Sequence, residues 1–152
     1  MIDTIIEDEG WHSALPEAEK LASQCLDEAR RIEPALCGEI ALLLTNDEAV
    51  QALNARFRGQ DKPTNVLSFP SGDDKKFLGD IALARETSIL EAQAARISLR
   101  DHAAHLIVHG MLHLTGYDHE TDNQASVMEE REAEILQRLG IANPYARAEA
   151  PS

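Results

Sequence analysis

No stretch of this 152-residue chain comes near the roughly 18 to 20 consecutive apolar residues a membrane helix requires, although 43% of its residues are apolar. Basic residues are lacking at the start as well. The chain opens Met-Ile-Asp-Thr-Ile-Ile-Glu-Asp-Glu, acidic where a signal peptide carries positive charge, which predicts a cytoplasmic protein. Cysteine is scarce. Cys25 and Cys37 are the whole complement, and without an export signal they are expected to be free, buried thiols rather than a disulfide. There is no internal repeat and no low-complexity block, and the length suits one domain that can bury a core without staples.

Positive charge is also in short supply. Fourteen Lys and Arg against 27 Asp and Glu leave a formal charge of −13, which argues against a protein that coats nucleic acid non-specifically. The deficit is uneven, because residues 56–100 hold eight of the fourteen basic residues and six acids, so that segment is +2 and the remainder −15. A cationic strip on an acidic body could hold a polyanion. A mixed, solvated surface accounts for it equally well.

Periodicity divides the chain into alternating elements. Ile2, Ile5 and Ile6 mark a strand within residues 1–8, and apolar residues at helical spacing predict a helix from Leu15 to Ile32, started near Ser13 and Pro16 and stopped by Pro34. Residues 39–44 read as a buried strand, Thr45 with Glu48 as a capping box for a helix over 49–57, and residues 66–70 as a strand closed by Pro70. After a loop over 71–76, expected to be mobile, come a strand at 79–83 and a helix over 85–95. Ser98 and Asp101 have capping-box spacing for a helix over Leu99–Leu114, apolar almost all round and therefore buried. Thr121 and Gln124 open a last helix that Gly140 ends. This predicts an α+β (mixed α/β) single domain over 1–141, with about four strands in a small mixed sheet, about five helices, and a frayed tail over 142–152.

The chemistry concentrates in His109-Gly-Met-Leu-His113-Leu-Thr-Gly116-Tyr-Asp-His119. Residues four apart share one helix face about 6 Å from each other, so His109 and His113 can offer two ring nitrogens to one ion. Gly116 can take the left-handed conformation that ends a helix and turns His119 back toward them. Three neutral imidazoles with a fourth position open to water are the donor set of a catalytic zinc. His102 and His105 extend the stripe. His105 with His109 could form the pair instead, His105 otherwise lying beside the ligands or facing substrate, and His102 at the surface. The spacing matches the metzincin pattern H-E-x-x-H-x-x-G-x-x-H in every position but one: the general-base glutamate is replaced by Gly110, so peptide hydrolysis by that route lacks its base.

Supporting groups are expected from nearby. Asp118 adjoins a ligand, and Asp80, an acid in a short strand, could orient a ligand imidazole or simply sit at a strand end. Arg58 could clamp phosphate with its guanidinium or cap the last carbonyls of its helix. Thr64 and Ser68 could donate hydroxyls.

Taken together, His109–His119, the segment Asn54-Ala-Arg-Phe-Arg58-Gly-Gln-Asp-Lys-Pro-Thr-Asn-Val-Leu-Ser-Phe-Pro70 and Leu78-Gly-Asp-Ile81 resemble the YbeY family of bacterial metal-dependent endoribonucleases. The resemblance spans about residues 40–136. It implies one zinc held by His109, His113 and His119, cleavage of single-stranded RNA, a role in small-subunit ribosomal RNA 3′-end maturation and ribosome quality control, and Arg58 as the arginine of an RNA groove. Neither DNA nor a membrane is implied as a partner. Asn65 departs from the pattern, since the family commonly has Asp there. The competing expectation is a zinc-stabilised ribosome- or protein-binding module without nuclease activity.

Overall fold

The computed structural model describes residues 1–72 and 76–149. Four strands, β1 (Ile2–Ile6), β2 (Glu39–Thr45), β3 (Val66–Pro70) and β4 (Phe77–Ala84), form one mixed sheet in the order β1-β2-β4-β3. β1, β2 and β4 are parallel, and β3 runs antiparallel to β4 at the edge. Among the described residues there are seven helices: α1 (Gly10–Ala14), α2 (Ala18–Ile32), α3 (Asp47–Arg58), α4 (Arg85–Ala95), α5 (Leu99–Leu114), α6 (Asp122–Arg138) and α7 (Pro144–Glu149). The mixed α+β architecture expected from the pattern is present, with two short helices added. No helix among the described residues is long and apolar enough to cross a membrane.

Side chains alternate along β4, and the alternation separates two cores. Ile81 and Leu83 join α2, α5 and α6 in the main core, whereas Ala82 and Ala84 face the other way onto Val50 of α3. α5 runs through the main core, which is why its sequence is apolar nearly all round. Its approach to the sheet depends on Gly110. A Cβ there would sit 2.9 Å from Cγ2 of Ile81 and 3.1 Å from Oγ of Ser68. The residue that removes the metzincin base is therefore also the one that lets α5 lie against β4.

Local signals explain most boundaries. Ser98 caps α5 by accepting from the Asp101 amide, and Thr121 and Gln124 form a complete capping box on α6. At α3 the cap is Asn46, whose side chain accepts from Ala49 N, and not the Thr45–Glu48 box expected; Thr45 is the last residue of β2, with its carbonyl bound to Nε1 of buried Trp11 at 2.8 Å. The helix expected from Leu15 begins at Ala18, preceded by the separate short turn of α1 that buries Trp11. Cys25 is buried with its thiol pushed up to about 12 by desolvation, whereas Cys37 is exposed; both are free. Within the segment expected to fray, α7 folds back so that Tyr145 bonds to α6; residues 150–152, and Asp73, Asp74 and Lys75 of the loop expected to be mobile, lie outside the described residues.

Candidate metal centre and cleft

The end of α5 builds the site. Gly116 takes φ +102°, Tyr117 N donates to Leu112 O at 3.2 Å and Gly116 N to His113 O at 3.2 Å, the paired bonds of a Schellman turn. The turn does more than stop the helix. The Tyr117 carbonyl it swings round accepts from Nδ1 of His113 at 2.9 Å, so the same reversal that brings His119 back also orients a ligand ring. One donor atom from each of His109, His113 and His119 then lies within 4.8 Å of the others.

The tautomers follow from the partners. A carbonyl only accepts, so His113 carries its proton on Nδ1. His109 Nδ1 faces Oε2 of Glu132 at 3.2 Å. Glu132 is 1% exposed, and although burial pushes its carboxyl up, hydrogen bonds from His105 and His109 outweigh that and hold it at about 2, so His109 also carries its proton on Nδ1. With each Nδ1 engaged, the Nε2 atoms of His109 and His113 face each other, 3.1 Å apart. Two lone pairs at that distance repel, and either a proton on one ring or a metal ion between the two relieves the repulsion. A tetrahedral zinc with Zn–N of 2.0–2.1 Å spaces its ligand nitrogens by about 3.3 Å, so the His109–His113 pair is spaced for such an ion, and His119 offers a third donor within 4.8 Å. Burial, then the neighbouring His109 and His119, also hold the pKa of His113 below its ordinary value, favouring the neutral form a metal needs.

The histidines open onto a cleft of about 690 Å³ whose opposite wall is β3 and the end of α3. Arg58 and Asp118 both line it. Arg58 does not cap its helix; Gly59, at φ +66°, does that, while Nη2 of Arg58 donates to the Ser68 carbonyl and its guanidinium lies 5.6 Å from the Phe69 ring centroid. Asp118 Oδ1 accepts from His119 N at 2.8 Å. Thr64 is at the cleft, but the Ser68 hydroxyl is spent on the Gly110 carbonyl at 3.1 Å.

Asp80 is not brought to the histidines. It pairs in register with Phe69 and, alternating with Ile81, shares the sheet face turned toward α3; burial raises its pKa. His105 is no ligand either. Its Nε2 is 2.7 Å from Oε1 of Glu132, an oxygen that also accepts from the Tyr145 hydroxyl at 2.7 Å. His102, expected at the surface, is half-buried with Nε2 2.8 Å from Glu91. Asn65 donates to the same carboxylate at 3.0 Å, so an Asp at 65 would set two carboxylates against each other.

Glu132 and Tyr145 belong to none of the motifs singled out in the sequence. The signal for Glu132 was present, because Met128, Glu132, Ile135 and Leu136 follow helical spacing and make it an acid on the apolar stripe of α6. Tyr145 carried no such signal.

A family model for endoribonuclease YbeY matches residues 5–140. The chain belongs to the endoribonuclease YbeY family. It is 45% identical to endoribonuclease YbeY of Maricaulis maris over 146 residues, covering 95% of this chain and 91% of that one, and 44% identical to that of Bartonella henselae over 158 residues, covering 95% and 96%. The protein of the same name from Rhodospirillum rubrum is 55% identical over 122 residues, 74% of this chain and 61% of that longer one. In fold, the chain is similar to the solution structure of TM1509 from Thermotoga maritima, with TM-score 0.59, 23% identity and coverage of 100% and 97%. YbeY membership makes this a chain of a nuclease family, and the histidine cluster is where its donors could hold a metal ion.

Proposed function

We propose that the chain is a zinc-dependent endoribonuclease that hydrolyses single-stranded RNA in the cleft between α5 and β3. The observation that supports this above the others is the pair of facing Nε2 atoms, 3.1 Å apart, beside a cleft that Arg58 also lines. His109, His113 and His119 would hold the ion, and when bound there zinc lowers the pKa of water to about 7 and makes it a nucleophile near neutral pH. Arg58 binds the phosphate: its planar guanidinium carries five donors, only one of which is used on Ser68, and it pairs with the oxygens on which charge grows. Asp118, with Oδ1 held by the His119 amide, keeps Oδ2 for the proton released by the attacking water. Asp80 has no contact with the reacting atoms in this reading. The family resemblance extends the proposal to small-subunit ribosomal RNA as substrate, to its 3′-end maturation and ribosome quality control as the setting, to the small subunit as partner and to the cytoplasm as location.

The test is cleavage of single-stranded RNA by highly purified protein, with metal content measured on the same samples. His113→Ala and Arg58→Ala are expected to abolish cleavage, and Arg58→Ala to keep full zinc. Wild type that binds ribosomal components yet cuts nothing would replace the nuclease with the assembly-module reading. Another metal in the purified protein would overturn the choice of zinc, since imidazole also accepts nickel, copper and iron.

A further inference from the structure

Only three phenylalanines occur in the chain, and one of them, Phe57, is 60% exposed on the last turn of α3, one residue before Arg58. Single exposed apolar residues are ordinary, and Leu90 is another. Phe57 differs in its company. Its ring meets that of Phe69 edge-on, centroids 5.6 Å apart, the Arg56 guanidinium reaches over it at 5.2 Å, and Arg58 stands at 5.6 Å over Phe69. Two rings and two guanidiniums thus form a continuous patch joined through Arg58 to the histidine cleft.

We propose that Phe57, backed by Phe69 and flanked by Arg56 and Arg58, is a stacking platform for one unpaired nucleobase of the RNA whose phosphate occupies the cleft. Proteins that hold single strands combine a cationic track with exposed aromatic rings, because every base has a π-face and needs no specific hydrogen bond. Arginine adds cation–π attraction and can lie over the outer face of a stacked base. The patch also supplies a reason for single-strand preference, since a base inside a duplex must first be unstacked at a cost of a few kcal/mol. On a chain of charge −13, Arg56 and Arg58 supply attraction at the place where RNA would enter.

The proposal rests on the RNA reading above, and the experiment keeps the two apart. The full-length, zinc-loaded chain is titrated with a fluorescein-labelled single-stranded phosphorothioate RNA, with its duplex, and with a series carrying one abasic position. Wild type is expected to prefer the single strand and to lose affinity at one abasic position. Phe57→Ala is expected to bind about five- to a hundred-fold more weakly with unchanged zinc content, and to be indifferent to that abasic position. Phe57→Trp is expected to restore binding and to show emission quenched by RNA, against a background from Trp11, which is fully buried. Wild type that binds no single-stranded RNA overturns the RNA reading and the platform together. Wild type that binds and cuts RNA, with Phe57→Ala within twofold of it and no quenching in Phe57→Trp, overturns the platform alone.

Discussion

His105 and His109 stand one turn apart on the same stripe of α5, and a single buried carboxylate touches both. Glu132 gives Oε1 to Nε2 of His105 at 2.7 Å and Oε2 to Nδ1 of His109 at 3.2 Å. The difference of one ring atom separates their fates: His105 spends on the carboxylate the nitrogen a metal would need, whereas His109 spends the other and turns Nε2 toward His113. A histidine is made a ligand as much by what occupies its second nitrogen as by its place in a motif.

Substitutions at four positions break or sharpen this contrast. The largest effect is expected from His113→Ala, which removes one of the two facing Nε2 atoms; zinc affinity should fall by more than the 10- to 100-fold typical of an outer-shell loss, read by competition with a chromophoric chelator. Glu132→Ala comes next. Without the carboxylate His109 loses its orienting partner, so affinity should drop about 10- to 100-fold, and Glu132→Gln, which keeps an acceptor oxygen, should recover part of it. Equal affinities for Glu132→Ala and wild type would mean that the carboxylate only fills space. Gly110→Ala probes the opposite face of α5. Its methyl would press on Ile81 at 2.9 Å, and overpacking of this kind costs about 1–3 kcal/mol in denaturant unfolding of the apoprotein. Smallest is His105→Asn, expected to leave zinc affinity within about threefold; a loss as large as that of His113→Ala would show His105 to be a ligand, contrary to the position of its Nε2.

Much of this was legible in residue order because it depends on neighbours along the chain. The Ser98 cap, the Thr121–Gln124 box and the Gly116 turn are built from residues within a few positions of each other, and each stands where the sequence put it. The errors have a common physical cause. Thr45 looked like a cap but is needed as the last residue of β2, so Asn46 caps instead. Asp80 looked like a support for an imidazole, but strand alternation sends it to the face of Phe69 while its neighbour Ile81 faces Gly110. Arg58 could have been a cap or a clamp. Its bond to Ser68 on β3 and its place in the cleft depend on α3 meeting an edge strand, which nothing local in α3 encodes.

By itself the sequence determined the helix that carries His109 and His113, the glycine that returns His119, and, through Gly110, the absence of a metzincin base; each follows from spacing or from a missing side chain. Only the tertiary structure decided which nitrogens are free to bind a metal, because that choice is made by Glu132 and the Tyr117 carbonyl. It also decided which acid shares the cleft, because Asp118 follows the Schellman turn whereas Asp80 lies across the sheet. Hydrogen bonds between α5 and α6, and the side of a sheet on which a residue falls relative to a helix, arise only when separate elements pack, so no short-range pattern can specify them.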